Sequence, residues 1–492
     1  MSAPGASVKQ LLRPLALFLA GALHVAAFAP LEWWPLSFIS LAVLFFHWQT
    51  AAPREAAWQG FAWGLGCFLA GVSWVYVSMH DVGGMPAPIA ALMALAFALY
   101  LALYPALSGW LSARLRCDAV APMFVMAAAW SLGEWLRGTV ATGFPWLAIG
   151  YAHTPPSPLA GYAPVLGVYG VGFVVALIAA ALAQLWRLRR LAVMPIALCV
   201  VALLVGAGLR TIHWTEALGQ PFSVSLLQGN VPQSLKWDPQ RLNLSLDTYA
   251  ELAHTHPAQL MVLPETAIPL MLNDIPRDYL QRLLGSDRHM LLGAAVGIGE
   301  RDYANGAVML TPQLQGSAYL KHHLVPFGEF VPAGFQWFLD LMRIPMSNFT
   351  AGQQRQEALV FDGQQIMPNI CYEDLFGEEL IINAAQASVL INLSNTAWFG
   401  HSLAQPQHLQ ISRMRAMETG RMMLRATNTG MTAAVNPDGT VAAVLPAFTR
   451  DALTVEAQGY TGRTPYMRIG NSGILVLVLS ILALAWRQLR RR

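Results

Sequence analysis

The chain has 492 residues, of which 55% are hydrophobic and only 12% are charged, and its formal net charge is +3. A soluble globular protein carries roughly 25% charged residues, so this composition excludes an ordinary soluble protein and indicates a membrane protein. The length is sufficient for two or three domains. The region from 215 to 470 contains no run of basic residues, which argues against nucleic acid as a partner.

Eight apolar runs are candidates to cross a hydrocarbon core of roughly 30 Å as helices. They lie at 15–28, 35–48, 58–79, 89–111, 120–136, 164–186, 191–212 and 473–486. The first, second and last are short, so their ends are less well defined. The sequence therefore predicts a membrane α-helical bundle of eight transmembrane helices, seven of them before residue 215 and one at the end of the chain.

The distribution of basic residues predicts the orientation of these helices. With the N-terminus inside, the inside segments hold most lysines and arginines near the helices, and the short outside loops hold only Arg137. We therefore expect a multi-pass protein with cytoplasmic N- and C-termini, which in a Gram-negative bacterium would lie in the inner membrane. The predicted domains are a seven-span region at 1–214, a periplasmic domain at 215–470, and a C-terminal helix with a basic tail at 471–492.

The first apolar run also resembles a signal peptide. Lys9 and Arg13 precede it, and Ala27-Phe28-Ala29 has the small residues of a cleavage site. We favour an uncleaved helix, because Pro30 would follow the cut and a further apolar run begins at once.

From residue 221 onward, short apolar strands alternate with polar helices. Strands are predicted at 222–228, 259–264, 290–296, 307–311, 366–371, 389–393 and 431–435, and helices at 241–254, 279–284, 375–387 and 406–419. This alternation predicts a layered α/β domain. Glu265 and Cys371 follow predicted strands, and open α/β sheets bind ligands at the carboxyl ends of their strands.

An apolar stretch at 330–346 is too short to span a membrane. It includes Phe330, Trp337 and Ile344. It is either a core helix of the α/β domain or an arm that lies in the bilayer surface, and the sequence leaves both alternatives open.

Cys371 is the candidate nucleophile. The chain has four cysteines, and the other three lie in or beside apolar runs: Cys67, Cys117 and Cys199. Cys371 therefore has no disulfide partner in the predicted outer domain, although a buried structural cysteine is the ordinary alternative. A nucleophilic cysteine needs a base and a cation or donor that stabilises the oxyanion, and Glu265 and Lys321 are the candidates.

Three motifs surround these residues. They are Leu263-Pro264-Glu265-Thr266, Lys321 ahead of Val325-Pro326-Phe327-Gly328-Glu329, and Asn369-Ile370-Cys371-Tyr372-Glu373. Together they resemble the nitrilase superfamily, which uses a Glu–Lys–Cys triad on an α-β-β-α sandwich. Further motifs at 133–138, 142–147, 227–237, 392–400 and 425–430 resemble its membrane-bound branch, the apolipoprotein N-acyltransferases. The resemblance extends over essentially the whole chain.

The resemblance implies a role for each matching residue. Cys371 would be the nucleophile, Glu265 the general base, and Lys321 the stabiliser of the tetrahedral intermediates. Two further carboxylates would support the triad, namely Glu329 and Glu373. Three aromatic residues would line the substrate entrance: Trp237, Tyr372 and Trp398. The backbone N–H of Tyr372 would be a second oxyanion donor.

The resemblance also implies a two-step reaction. Cys371 would take a fatty acyl chain from the sn-1 ester of a phospholipid, typically phosphatidylethanolamine, as a thioester. The α-amino group of the N-terminal S-diacylglyceryl cysteine of an apolipoprotein would then accept it as an amide. Both substrates are anchored in the lipid bilayer, and no metal or organic cofactor is expected.

Two alternative functions use the same sequence features. A membrane-tethered nitrilase-type amidohydrolase would have the same triad with water as the acceptor. A transporter with an inert nitrilase-like domain would carry ionisable residues at mid-span, and these runs have almost none.

Other ionisable residues have weaker functional interpretations. Two histidine pairs have spacings that do not suit a zinc site: His254 with His256, and His322 with His323. Glu134 and Arg137 are three residues apart on a predicted helix, so they are expected to pair, in a structural role or near lipid headgroups.

Overall fold

The computed structural model describes residues 8–117, 121–189, 191–232, 242–299, 302–331 and 348–491. The described chain divides into two compact units. One contains the described residues up to Tyr76, Pro88–Ile212, and those from Ile469 onward, and the other contains Val77–Ala87 and His213–Arg468. Trp237 lies outside the described residues, as does the predicted arm at 330–346 apart from Phe330 and Val331.

The first unit is helical. In chain order the described α-helices of the whole protein are α1 (Val8–His24), α2 (Pro35–Trp48), α3 (Pro53–Gly71), α4 (Trp74–Val77), α5 (Ala87–Arg114), α6 (Pro122–Thr139), α7 (Ala163–Leu188), α8 (Val193–Leu209), α9 (Leu242–Thr255), α10 (Arg277–Leu284), α11 (Gly377–Ala384), α12 (Ala404–Thr419), α13 (Pro465–Ile469) and α14 (Ser472–Leu489). Small residues let the helices of this unit approach closely. A Cβ on Gly21 of α1 would collide with the carbonyl of Trp63, and one on Gly66 of α3 would collide with that of Phe18.

Each predicted apolar run coincides with a described helix, but the predicted count of eight membrane spans is not confirmed. By length and composition, three described helices can cross a membrane, namely α5, α7 with its preceding turn, and α14; the bent pair α3 and α4 would make a fourth. Helices α1, α2 and α8 have only 17, 14 and 17 residues. These lengths lie at or below the lower end of the roughly 17–25 residues that a helix uses to cross a hydrocarbon core.

The second unit contains two sheets, each with six strands in the described part of the chain. The strands are β1 (Thr215–Gln228), β2 (Leu260–Leu263), β3 (His289–Gly297), β4 (Tyr303–Leu310), β5 (Gly316–Leu320), β6 (Leu359–Phe361), β7 (Gln364–Ile370), β8 (Val389–Ser394), β9 (Met422–Thr427), β10 (Ala433–Val435), β11 (Val441–Val444) and β12 (Asp451–Gly462). The strand orders are β12-β1-β2-β3-β4-β5 and β11-β10-β9-β8-β7-β6. The centre of each sheet is parallel, formed by β1, β2 and β3 in one and by β7, β8 and β9 in the other.

The two sheets pack face to face. Leu226 and Val262 of the first sheet belong to the same buried apolar cluster as Ile366 and Ile391 of the second. A separate buried cluster joins the other face of the first sheet to α9 and α10. The central parallel strands are apolar on both faces because both are covered. The predicted α-β-β-α sandwich is therefore confirmed.

The predicted strands and helices of the α/β domain all correspond to described elements, and five strands were not predicted. These are β5, β6, β9, β11 and β12. Strand β9 is fully buried but contains the charged residue Arg425, so its sequence does not read as a continuous apolar run. Strands β6 and β11 have only three and four residues.

Candidate active site

Three charged side chains meet between the two sheets. Lys321 follows β5 and is 0% exposed, and its Nζ lies 3.4 Å from Oε1 of Glu265 and 2.8 Å from Oε2 of Glu329. Glu265 follows the carboxyl end of β2, and both glutamates are less than 10% exposed. The structure thus brings together the predicted base and the predicted cation, which are 56 positions apart in the sequence.

Asn305 of β4 bridges the two carboxylates and was not predicted. Its Nδ2 donates to Oε1 of Glu265 at 2.7 Å and to Oε1 of Glu329 at 2.8 Å. The other carboxylate oxygens accept backbone N–H groups, from Asn395 at 2.8 Å for Glu265 and from Val325 at 2.9 Å for Glu329. Both carboxylates are therefore held by neutral donors as well as by Lys321. A lone amide within an apolar strand was the available signal in the sequence.

Cys371 occupies a sharp turn between strand β7 and a 3₁₀ helix at Cys371–Leu375. Its φ is +53°, a left-handed conformation that residues other than glycine adopt infrequently. The residue as a whole is partly exposed. Such strained residues persist only where the surrounding structure holds them, and they concentrate at functional sites.

Glu373 ties this turn to the segment that carries Lys321. One carboxylate oxygen accepts the N–H of Ile370 at 2.7 Å. The other accepts the N–H of His322 at 2.7 Å and the hydroxyl of Tyr319 at 3.0 Å. The predicted supporting carboxylate is therefore a bridge between β5 and β7, which belong to different sheets.

The charges of the site act on the Cys371 thiol. Burial raises the pKa of the thiol well above its ordinary value, and Glu265 raises it further, while the opposing effect of Lys321 is smaller. Burial alone would lower the pKa of Lys321, but Glu329 and Glu265 raise it above its ordinary value. At neutral pH the site therefore holds a protonated thiol and a lysine ammonium, so the thiol needs a base during attack.

Tyr372 and Trp398, two of the aromatic residues predicted to line the substrate entrance, make contacts with different segments of the chain. The ring of Tyr372 contacts those of His323 and Phe376, with centroids 5.8 and 5.1 Å apart. The carbonyl oxygen of Trp398 accepts a hydrogen bond of 2.7 Å from Oγ of Ser78. Ser78 lies in the Val77–Ala87 segment, which belongs to the same compact unit as the α/β domain although the two are far apart in the sequence.

Glu134 and Arg137 are buried together in the helical unit. Their nearest charged atoms are 3.9 Å apart. Arg137 also donates to the carbonyls of Phe144 and Trp146, and Glu134 accepts the N–H of Ile149. The expected pairing occurs, and the hydrogen bonds of Arg137 to the carbonyls of Phe144 and Trp146 anchor the 142–147 motif to α6.

Comparisons with known proteins agree with this architecture. Residues 223–466 match the family model of carbon-nitrogen hydrolases, so the α/β unit has the fold of the nitrilase superfamily. Residues 20–181 match the model of the apolipoprotein N-acyltransferase N-terminal domain. The chain therefore combines both parts of that membrane-bound branch.

Curated relatives match over nearly the whole chain. An apolipoprotein N-acyltransferase of Nitrosomonas europaea is 45% identical over 97% of this chain and 98% of its own. Those of Ralstonia nicotianae and Chromobacterium violaceum are each 47% identical, over 95% and 96% of this chain and 92% and 94% of their own. This chain belongs to the apolipoprotein N-acyltransferase family.

Proposed function

We propose that this protein transfers a fatty acyl chain from a phospholipid to an apolipoprotein. The donor is the sn-1 ester of phosphatidylethanolamine. The acceptor is the α-amino group of the apolipoprotein's N-terminal S-diacylglyceryl cysteine. Cys371 carries the acyl chain as a thioester between the two steps. The observation that supports this best is the buried Glu265–Lys321–Glu329 cluster, whose charges all act on the Cys371 thiol. Membership of the family supports the choice of substrates.

The first step forms the thioester. Glu265 takes the thiol proton as Sγ attacks the ester carbonyl, because a carboxylate next to a thiol of raised pKa is the available base. The ammonium of Lys321 and the N–H of Tyr372 stabilise the oxyanion. Collapse of the tetrahedral intermediate breaks the ester C–O bond, and the proton returns from Glu265 to the lysophospholipid alkoxide. Glu329 keeps Lys321 in place through its 2.8 Å contact with Nζ.

The second step releases the acyl chain. The free amine of the diacylated cysteine attacks the thioester carbonyl, and Glu265 takes a proton from the nitrogen. The C–S bond then breaks, the amide forms, and the proton passes to the departing sulfur. The same oxyanion donors serve both steps, since each step passes through a tetrahedral intermediate at the same carbon.

Because both proposed substrates are anchored in the lipid bilayer, the catalytic domain must be held at the membrane surface. We propose eight spans, in the regions 1–214 and 471–492, that hold the domain at 215–470 on the periplasmic side of the inner membrane. The biased distribution of basic residues supports this orientation. Trp237 and Trp398 are proposed to line the substrate entrance.

The test is intact-protein and peptide mass spectrometry of the purified enzyme after incubation with phosphatidylethanolamine. We expect a mass increase of one acyl chain on the peptide that contains Cys371, and its absence in Cys371→Ala. The matched control is Cys199→Ala, which should acquire the adduct like the wild type. An adduct that persists in Cys371→Ala would refute the proposed nucleophile.

The acceptor distinguishes transfer from hydrolysis. Addition of a diacylated lipopeptide to the acyl-enzyme should produce the N-acylated lipopeptide and free thiol. If the lipopeptide stays unmodified while free fatty acid accumulates at the same rate with and without it, the protein is a hydrolase that uses water.

A further inference from the structure

A second buried cluster of charged and polar side chains adjoins the Cys371 turn. It consists of Asp374, Asn392, His408, Ser412 and Arg425, each at most 1% exposed. Asp374 lies on the 3₁₀ turn that begins at Cys371, and the others come from β8, α12 and β9. The cluster is therefore built from elements that surround the nucleophile, but none of its members belongs to the Glu265–Lys321–Glu329 cluster.

The hydrogen bonds define how the cluster is protonated. One terminal nitrogen of Arg425 lies 2.7 Å from Nδ1 of His408, and because an arginine can only donate, Nδ1 must be the acceptor. Nε2 of His408 then carries the proton and donates to Oδ1 of Asp374 at 2.8 Å. Ser412 donates to Oδ2 of Asp374 at 2.6 Å. The cluster holds a neutral histidine between one carboxylate and one guanidinium.

A buried ion pair is by itself weak evidence for a role in net stability. Taking an ion pair out of water is costly, and replacing such pairs by apolar side chains is often neutral or stabilising. The fully buried Asp374–Arg425 pair, with 3.3 Å between its charged atoms, instead fixes the geometry of the groups that it joins.

Asn392 connects the cluster to the nucleophile. Its Oδ1 accepts from Arg425 at 2.9 Å and from the hydroxyl of Ser394 at 2.6 Å. These two donors orient the amide, so its Nδ2 donates to Oδ1 of Asn369 at 2.7 Å and to the carbonyl oxygen of Cys371 at 3.3 Å. Asn392 thus holds the carbonyl group of Cys371. Three residues later, His408 and Ser412 hold the turn through their hydrogen bonds to Asp374.

We propose that Asp374, His408 and Arg425 are positioning residues for acyl transfer. Through Asn392 and the 3₁₀ turn, they hold Cys371 in the left-handed backbone conformation from which Sγ reaches the ester carbonyl. This inference rests on the proposed role of Cys371. The three residues do not exchange protons with substrate, so their loss should slow attack by the thiol without weakening phospholipid binding.

The decisive comparison is between two buried arginines four positions apart. Arg425→Met breaks the cluster, whereas Arg421→Met removes a side chain that is 2% exposed and donates to the carbonyls of Ala387 and Gly462. We expect Arg425→Met to lower the maximal rate of acyl-enzyme formation about a hundredfold, as for a nucleophile displaced by about 1 Å, with the phospholipid concentration at half-maximal rate unchanged. Arg421→Met should lower the melting temperature but leave the acylation rate within about threefold of wild type.

A milder pair keeps the test informative if Arg425→Met does not fold. Ser412→Ala removes one buried hydroxyl from the cluster without changing its charge. Thr419→Val removes another from the same helix, one that bonds to the carbonyl of Arg415 on its own helix. Rates are measured by mass spectrometry at a temperature well below both melting transitions. We expect Ser412→Ala, but not Thr419→Val, to slow acylation at least about threefold.

The outcomes separate the two proposals. If the wild type forms no thioester at Cys371, the proposed nucleophile is wrong. If the wild type does form it, and Arg425→Met or Ser412→Ala acylates at the rate of its control, the positioning role is wrong. A slower rate accompanied by a matching rise in the half-saturating phospholipid concentration would also contradict positioning, because it would indicate a role in binding.

Discussion

Glu265 and Glu329 both contact Lys321 but differ in their effect on the pKa of the Cys371 thiol. The charge of Glu265 raises the pKa of the Cys371 thiol more strongly than that of Glu329 does. Glu329, in turn, has the larger effect on the pKa of Lys321. This difference agrees with the proposed roles, in which Glu265 accepts the thiol proton and Glu329 holds the ammonium of Lys321.

Neutralising Glu265 should lower both the rate of acyl-enzyme formation and the pKa of the Cys371 thiol. In Glu265→Gln the rate of acyl-enzyme formation should fall about 10²- to 10⁴-fold, because the base is lost. The pKa of the thiol should fall as well, because a negative charge that raises it is gone. The pH midpoint of iodoacetamide alkylation should therefore move to lower pH. Glu456→Gln, on an exposed part of β12, is the control, and an unchanged alkylation profile in Glu265→Gln would contradict the proposed electrostatics.

Asp374 should contribute stability that depends on pH. Although burial raises the pKa of this carboxyl, the hydrogen bonds from His408 and Ser412 and the charge of Arg425 outweigh that effect and hold the pKa below its ordinary value. The ionised form therefore stabilises the folded protein above the unfolded pKa of about 3.9, and this contribution is lost as the pH falls through the folded pKa. The melting-temperature gap between wild type and Asp374→Asn should be largest near neutral pH and narrow below about pH 4. A gap that is constant with pH would contradict this, and Asp362→Asn in an exposed turn is the control.

At the scale of elements, the position of Glu265 depends on how closely β3 approaches the end of β2. A Cβ on Gly293 of β3 would collide with the carbonyl oxygen of Pro264 and lie 2.6 Å from Cα of Glu265. Gly293→Ala should therefore displace the base and lower the rate of acyl-enzyme formation at least about tenfold.

The control for this prediction lies on the same strand. A Cβ on Gly297 would have its nearest neighbour at 3.9 Å, so Gly297→Ala should acylate normally. Equal rates for the two variants would show that the approach of β3 does not position Glu265. Thermal melts of both proteins separate displacement of the base from general loss of stability.

Apolar runs in the sequence were sufficient to predict some strands of the α/β domain but not others. The apolar runs that became β2, β3, β7 and β8 are short, continuous and bounded by polar residues, so their pattern predicted strands. Strand β9 was missed because Arg425 interrupts its apolar run. A buried charge is explicable only once its partners on α12 and the Cys371 turn are known.

For the whole molecule, the proposed topology makes a testable statement about the two sides of the membrane. Gln313 is exposed in the turn between β4 and β5, and Ala52 is exposed in the turn before α3. In intact inner-membrane vesicles or spheroplasts of known orientation, a membrane-impermeant maleimide should label Gln313→Cys from the periplasmic side. Ala52→Cys should react only after permeabilisation. The reverse pattern would invert the proposed orientation.

The sequence by itself determined the apolar and polar regions of this protein, the α/β class of the second unit, and the identity of Glu265, Lys321 and Cys371 as candidates. These inferences depend on periodicity and on short motifs, which are local. Only the tertiary structure decided that Asn305 bridges the two carboxylates, that Glu373 joins two sheets, and that a buried cluster of five side chains adjoins the Cys371 turn. Such contacts join residues far apart in the chain. They follow from strand order and register, which local patterns do not encode.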